Sequence, residues 1–96
     1  MKTINIFERA GEFAENKDIA RDIRETEILP TLVTGESITL DFSNVTGATQ
    51  SFIHALISEA FRTHGNAVLD KVLFKNCNET IQKIITIVSE YMQESI

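Results

Sequence analysis

Hydroxyl and amide side chains are concentrated in residues 46–51 (TGATQS), directly before a broad apolar helical stripe. Thr46, Thr49, Gln50 and Ser51 would lie at the N-terminus of that helix, where unpaired amide hydrogens and the positive end of the helix dipole favour anionic groups. The segment is therefore a candidate surface for a phosphate, another small anion or a protein partner. Hydroxyl side chains before a helix more often cap its free amides, and both interpretations stay open here.

Polar residues that follow two predicted strands extend this candidate surface. Asp41 lies at the carboxyl end of the central predicted strand, Asn44 lies in the turn after it, and Asn76 follows the next strand. Binding sites in parallel sheets lie beyond the carboxyl ends of the strands. Asp41 could therefore line a partner site or bind a cation. We favour the alternative, in which its carboxylate is bonded to neighbouring loop amides.

The residues that could carry nucleophilic or metal chemistry have no spacing typical of such sites. Cys77 would need a nearby base or a positive environment to become a reactive thiolate, and only His54 and His64 are available as imidazole bases. One cysteine and these two histidines fit no standard zinc spacing, and the four glycines are too dispersed to form a phosphate-binding loop. We predict no catalytic residue, no metal ligand and no cofactor, and hence a protein that is not an enzyme.

Composition and charge restrict the class of protein further. The 96 residues suit a single domain over positions 1–96, with 43% hydrophobic and 24% charged residues. A formal net charge of -5 opposes binding to nucleic acid, because that affinity comes largely from clustered basic residues. The chain has no apolar stretch long enough to span a membrane and no signal-peptide core at its start. With a lone cysteine, these features predict a cytoplasmic protein, and a bacterial source would fit.

The elements that would position the candidate surface alternate between strands and helices. We predict strands at residues 2–8, 37–42 and 72–74, the first of them at a sheet edge. A first helix would be capped by Asn16 or Asp18, with Arg24 facing water, and Pro30 should end or kink it near Ile28. Further helices would close at Gly65 and begin at Glu79. This order favours an α/β fold with a mainly parallel sheet of three to four strands packed with helices.

Residues 38–45 (ITLDFSNV) and 46–52 (TGATQSF), followed by an apolar helix, resemble the signature of the STAS superfamily of anti-sigma-factor antagonists. More closely, the chain resembles the bacterial STAS-like domains of unknown function, and residues 72–76 (VLFKN), ahead of an amphipathic helix, also occur in matching order. The similarity spans roughly residues 16–92. It implies a small STAS-like domain with a signalling role.

In the antagonist branch of that superfamily, a serine at the start of the corresponding helix is phosphorylated, and the phosphate governs partner binding. The usual pattern there is Asp-Ser-Ser-Gly, whereas this chain has Thr-Gln-Ser-Phe at positions 49–52. The regulated serine falls on Gln50, so Ser51 and Thr49 are the neighbouring hydroxyls that could take the phosphate. The resemblance also implies a protein partner such as a histidine-kinase-like ATPase.

Three functional hypotheses follow. The leading one is a non-catalytic protein-interaction or signalling module that uses the surface comprising Asp41, Asn44, Thr46, Thr49, Gln50, Ser51 and Asn76. The second is a domain that binds a small anion or a nucleotide at the N-terminus of the second predicted helix. The third is a small hydrolase or redox protein built on Cys77. The last helix is also broadly apolar, which makes a homodimer or partner interface a further hypothesis.

Overall fold

A three-stranded parallel sheet lies at the centre of the computed structural model, which describes residues 2–95. Its strands are β1 (Lys2–Asn5), β3 (Ile38–Asp41) and β5 (Val72–Lys75), in the spatial order β1-β3-β5. Ile4 lies beside Leu40, and Leu40 lies beside Phe74. A second, two-stranded parallel sheet pairs β2 (Phe13–Ala14) with β4 (Gly47–Ala48). The prediction of an α/β fold with a mainly parallel sheet is confirmed, as is the edge position of the first strand.

The helices connect the parallel strands. They are α1 (Ile6–Ala10), α2 (Lys17–Ile23), α3 (Leu29–Val33), α4 (Gln50–His64), α5 (Val68–Lys71) and α6 (Glu79–Ser95), with a π-helical turn at Arg24–Ile28 and a 3-10 turn at Gly65–Ala67. Helix α4 packs against both α2 and α6. Val72 and Phe74 share a cavity wall with Ile57 of α4 and Ile85 of α6. Helices α4 and α6 therefore cover the face of the sheet that carries these two side chains.

The central strand has the buried face that its alternation predicts. Ile38, Leu40 and Phe42 are fully buried. They belong to one hydrophobic cluster that also includes Phe52 and Phe61 of α4.

No helix in residues 2–95 is long and apolar enough to cross a membrane.

The first strand is shorter than predicted. It ends at Asn5, and Ile6, Phe7 and Glu8, which the alternation assigned to the strand, form α1 instead. The Asn5 side chain caps this helix by accepting a hydrogen bond of 3.0 Å from the Glu8 amide. Ile6 is nevertheless fully buried. A buried residue at position 6 is compatible with a strand or with a helix. The alternation of Ile4 and Ile6 with polar neighbours was too short to distinguish the two.

Pro30 does not end the first long helix. The chain continues from α2 through the π-helical turn into α3, with Pro30 in the first turn of α3. Leu29, before the proline, keeps helical angles of φ -62° and ψ -44°. The wider turn before Pro30 absorbs the irregularity that a proline causes in a regular helix. Arg24 is also not fully solvated, because its guanidinium donates to the Ala55 carbonyl oxygen at 3.2 Å.

The third predicted strand is confirmed, but its burial is only partial. Val72 is buried, whereas Leu73 is 38% exposed. Leu73 lies beside Thr39 in the register, on the face opposite to Ile38 and Val72. The side chains of Val72 to Phe74 therefore alternate between the two faces of an edge strand. Leu73 is exposed because it lies on the face that α4 and α6 do not cover.

Candidate functional site

Asp41, Ser43 and Asn76 form a hydrogen-bonded group, here called the Asp41 cluster, at the carboxyl ends of β3 and β5. Asp41 Oδ1 accepts hydrogen bonds from the Ser43 amide at 2.9 Å, from Ser43 Oγ at 2.8 Å and from Asn76 Nδ2 at 3.1 Å. Asn76 Nδ2 also donates to Ser43 Oγ at 2.9 Å. The cluster connects the loop after β3 to the loop after β5. The Asp41 carboxylate is bonded to a loop amide, which agrees with the interpretation favoured from the sequence.

The Asp41 carboxylate is stabilised in its charged form. The hydrogen bond from Asn76 is the main cause that lowers the pKa of Asp41, followed by the two hydrogen bonds from Ser43. The charge of Lys75 acts in the same direction, and partial burial opposes it. Asp41 is therefore an anion at neutral pH, and this charge contributes to the electrostatics of the sheet edge.

Two asparagines give the loops of this edge their shape. Asn44 has φ 70° and Asn76 has φ 58°, which is left-handed geometry that asparagine tolerates better than most residues. Asn44 is exposed in the turn after the Asp41 cluster. Asn78 donates to the Thr46 carbonyl oxygen at 2.9 Å and caps α6 by accepting from the Ile81 amide. It therefore links the last helix to the loop before α4.

The predicted hydroxyl residues have different surroundings. Thr46 donates to the Glu12 carbonyl oxygen through its amide at 2.8 Å and through its hydroxyl at 3.2 Å. Thr49 caps α4, because its hydroxyl oxygen accepts from the Phe52 amide at 3.1 Å. Ser51 is exposed in the first turn of α4, and its hydroxyl hydrogen-bonds no other group in residues 2–95. Of the three hydroxyls, that of Ser51 is both exposed and not bonded to another described residue.

Two open clefts meet at Ser51. One has a volume of about 360 Å³ and is lined by Lys17, Gln50, Ser51, His54 and Ala55. The other has a volume of about 500 Å³ and is lined by Glu15, Asn16, Lys17, Thr49 and Ser51. Lys17 belongs to both clefts because α2 begins beside the start of α4. Of the seven predicted residues, Asp41 and Asn76 are hydrogen-bonded to each other, whereas Thr49, Gln50 and Ser51 line the two clefts. Thr46 is bonded to Glu12 instead, and Asn44 lies exposed in the turn after Asp41.

Lys17 lines both clefts but was not predicted from the sequence as a site residue. It begins α2 directly after its cap Asn16, whose side chain accepts from the Asp18 amide at 2.9 Å. The cap was predicted, but nothing in the sequence relates it to a second cap, Thr49, more than thirty positions away. The pairing of β2 with β4 and the packing of α2 on α4 bring the two helix starts together, as the hydrogen bond of 2.9 Å from the Thr49 amide to the Ala14 carbonyl oxygen illustrates.

Cys77 is poorly suited to nucleophilic chemistry. Its thiol is half-buried, and this burial, together with the charge of Asp41, raises its pKa to about 11. Near neutral pH the sulfur is therefore almost entirely the protonated thiol, whereas the thiolate is the nucleophile. In the described part of the chain, no cluster of three histidine, cysteine or carboxylate side chains could hold a metal ion.

Comparison with known proteins gave one finding. The family model described as a STAS-like domain of unknown function (DUF4325) matches residues 20–82. The match includes β3, the Asp41 cluster, α4 and β5. No curated protein and no solved structure proved similar to the chain.

Proposed function

We propose that this chain, which belongs to the family of STAS-like domains of unknown function, is a non-catalytic protein-interaction module that binds its partner at the start of α4. The observation that carries the proposal is the exposed Ser51 hydroxyl, which lies at the junction of two clefts. The partner surface extends from Ser51 to the Asp41 cluster and Asn44. A signalling protein, such as a histidine-kinase-like ATPase, is the partner that the family resemblance implies.

Phosphorylation of Ser51 is the form of regulation that we propose. Thr49 is half-buried and caps the helix, whereas Ser51 is exposed and can enter the active site of a kinase. A phosphate on Ser51 would add about -1.5 to -2 charges at neutral pH beside the helix N-terminus. Lys17 and the unpaired amides of the first turn would favour that charge. The fold should therefore tolerate the phosphate. The added negative charge should instead alter the binding of the partner.

The test compares partner capture by wild-type, Ser51→Glu and Ser51→Gln proteins in native lysate, with phosphorylation measured by mass spectrometry. Thr80→Glu is the matched control, because Thr80 is an exposed hydroxyl residue in the first turn of α6. We expect Ser51→Glu alone to change which protein is captured. Recovery of the same proteins by all four forms, with no phosphate on Thr49 or Ser51, would contradict the proposal.

Binding of a small anion or nucleotide is a second candidate function, favoured by the position of Lys17 in both Ser51 clefts. The helix start supplies amide donors, and the lysine supplies a positive charge. Thermal denaturation with added nucleotides or inorganic phosphate tests this function. A ligand at one hundred times its Kd should stabilise the fold by about 2.7 kcal/mol, and Lys17→Ala should remove the shift. A partner module without a ligand should show no shift.

A homodimer through α6 would be compatible with either function. Ile87 and Tyr91 are 52% and 61% exposed on this helix, although Ile81, Val88 and Met92 are buried in the core. Sedimentation equilibrium of wild-type and Tyr91→Ser proteins tests the interface. A dimer that the substitution weakens would support it, and a wild-type monomer at all concentrations would rule it out.

A further inference from the structure

The outer edge of β5 is unpaired among residues 2–95, since β5 is the last strand of the order β1-β3-β5. Lys75 accepts a hydrogen bond of 2.9 Å from the Phe42 amide, so its backbone groups point toward β3. Backbone direction alternates along a strand, so the groups of Val72 and Phe74 point away from the sheet. The Val72 amide donates to the Val68 carbonyl oxygen. The Val72 carbonyl and both backbone groups of Phe74 therefore form an edge that an additional strand can pair with.

An apolar pocket of about 160 Å³ lies between this strand and the helices. Its walls include Phe61, Val68, Val72, Phe74 and Ile85, and Ser89 contributes the polar group at its border. A dry apolar cavity of similar size, about 150 Å³, is large enough for benzene. The pocket can therefore accept one large apolar side chain from a segment that lies along β5. On the opposite face, Leu73 offers an exposed contact for the next side chain of that segment.

Basic residues flank this edge in a chain whose net charge is -5. Lys71 precedes β5, with its Nζ donating to the Gly35 carbonyl oxygen at 2.9 Å, and Lys75 ends the strand. A second copy of the chain, added antiparallel and centred on Leu73, would bring its Lys71 opposite Lys75. Like charges in directly opposed positions destabilise a strand pair. Charge complementarity thus favours a segment with carboxylates at both ends over self-association.

We propose that the β5 edge is a strand-addition site for an extended, acidic-ended segment of a partner protein, whose large apolar side chain enters the adjacent pocket. Backbone hydrogen bonds to an edge strand provide affinity in this mode of recognition, and pockets for alternate side chains provide specificity. The site is separate from the surface around Ser51 and does not depend on the function proposed for it.

The test uses two synthetic peptides with the same centre, DEVTFTVED and KKVTFTVKK, and fluorescence anisotropy with the full chain. We expect the acidic peptide to bind about tenfold more tightly than the basic one, since Lys71 and Lys75 attract the carboxylates of the first peptide and repel the lysines of the second. Lys71→Glu/Lys75→Glu should reverse this preference. Lys83→Glu, which changes an exposed lysine of α6, should leave it intact. Ser51→Glu should also bind the acidic peptide like the wild type.

Two further measurements test the geometry of the site. Ser89→Leu should fill the pocket and weaken binding of the acidic peptide about tenfold, because the apolar side chain of the peptide can no longer be buried. Hydrogen exchange on wild-type protein should show slower exchange of the Phe74 amide in the complex, by about tenfold or more. This readout needs no substitution, so it remains valid if a variant fails to fold.

Three results would overturn the proposal. The first is no binding of either peptide, or equal binding of both. The second is binding of the acidic peptide without protection of the Phe74 amide, since the peptide would then lie elsewhere. The third is a wild-type dimer in sedimentation velocity that protects the Phe74 amide, since a second copy would then occupy the edge.

Discussion

Asn76 Nδ2 lies 3.1 Å from Asp41 Oδ1, although the two residues are 35 positions apart in the sequence. This hydrogen bond joins the ends of two neighbouring parallel strands. It fixes the Asn76 loop beside the Ser43 turn, and it is the main reason why the pKa of Asp41 is lowered. The shape of one end of the molecule thus depends on a contact that no local pattern specifies.

Substitution of Asn76 separates this contact from the backbone geometry. Asn76→Ala and Asn76→Gly both remove the amide donor, so the pKa of Asp41 should rise toward its ordinary value in a carboxyl NMR titration. Alanine is also strained at φ 58°, so Asn76→Ala should be less stable than Asn76→Gly by about 1 kcal/mol. Equal stability of the two variants would argue against the left-handed conformation.

Acid stability should depend on Asp41. Its pKa in the folded protein lies below the ordinary value of 3.8, so its contribution to stability is present above that pH and is lost as the pH falls through the folded pKa. Urea unfolding across this range should show the advantage of wild type over Asp41→Asn shrinking with acidification. Ser43→Ala should reduce the advantage in part. A difference that stays constant with pH would contradict the assignment.

Gly47 should be coupled energetically to Phe13. A Cβ atom at position 47 would lie 2.7 Å from Phe13 Cε1 and 2.8 Å from Cδ1, so the ring must move in Gly47→Ala. We expect a loss of about 1 kcal/mol that shrinks when Phe13 is replaced by alanine. Gly35→Ala is the control, because its strain comes from φ 82° and should not depend on Phe13. Additive effects of Gly47→Ala and Phe13→Ala would exclude the contact.

Cys77 should react slowly with alkylating reagents. With a pKa near 11 in place of 9.0, the thiolate fraction at pH 8 falls about a hundredfold, and the rate of reaction with iodoacetamide should fall with it. Mass spectrometry of the folded protein against the urea-unfolded protein measures this ratio. Asp41→Asn should speed the reaction, because the nearby negative charge is lost. Equal rates in the folded and unfolded protein would refute the raised pKa.

Thr49 should matter for the stability of α4. Thr49→Ala removes the oxygen that accepts from the Phe52 amide and should destabilise the chain by about 1 kcal/mol in thermal or urea unfolding. Thr49→Ser retains this oxygen and should recover most of the loss. A Thr49→Ser protein as unstable as Thr49→Ala would point to the methyl group instead of the cap.

The larger elements of the fold could be predicted because their periodicity is long or their ends are marked. Helix α4 has a hydroxyl cap at one end and Gly65 with φ 61° at the other, and the alternate residues Ile38 and Leu40 of β3 and Phe42 directly after it are fully buried. The short elements could not be predicted. Strands β2 and β4 have two residues each and exist because they pair with one another, which is a tertiary effect. Ile6 is buried whether it belongs to a strand or a helix.

The candidate site was predictable residue by residue but not as an arrangement. Patterns before a helix identify Thr49 and Ser51 as cap or ligand residues, but they do not say which hydroxyl forms the cap and which stays exposed. That distinction depends on one hydrogen bond to the Phe52 amide. Lys17 lies in a separate stretch of sequence, and only the folded chain brings it beside Ser51. The role of Ser43 in the Asp41 cluster likewise depends on the turn geometry.

The π-helical turn at Arg24–Ile28 has a consequence for how the family can vary in length. Such a turn holds one residue more than a regular helical turn, while Ile23 before it and Ile28 at its end remain fully buried. Deleting one residue there would convert it to a regular turn and keep both apolar contacts within reach of the core. Natural relatives that differ by a single inserted or lost codon should therefore carry the change at this turn, whereas the uninterrupted helix α4 should keep a constant length.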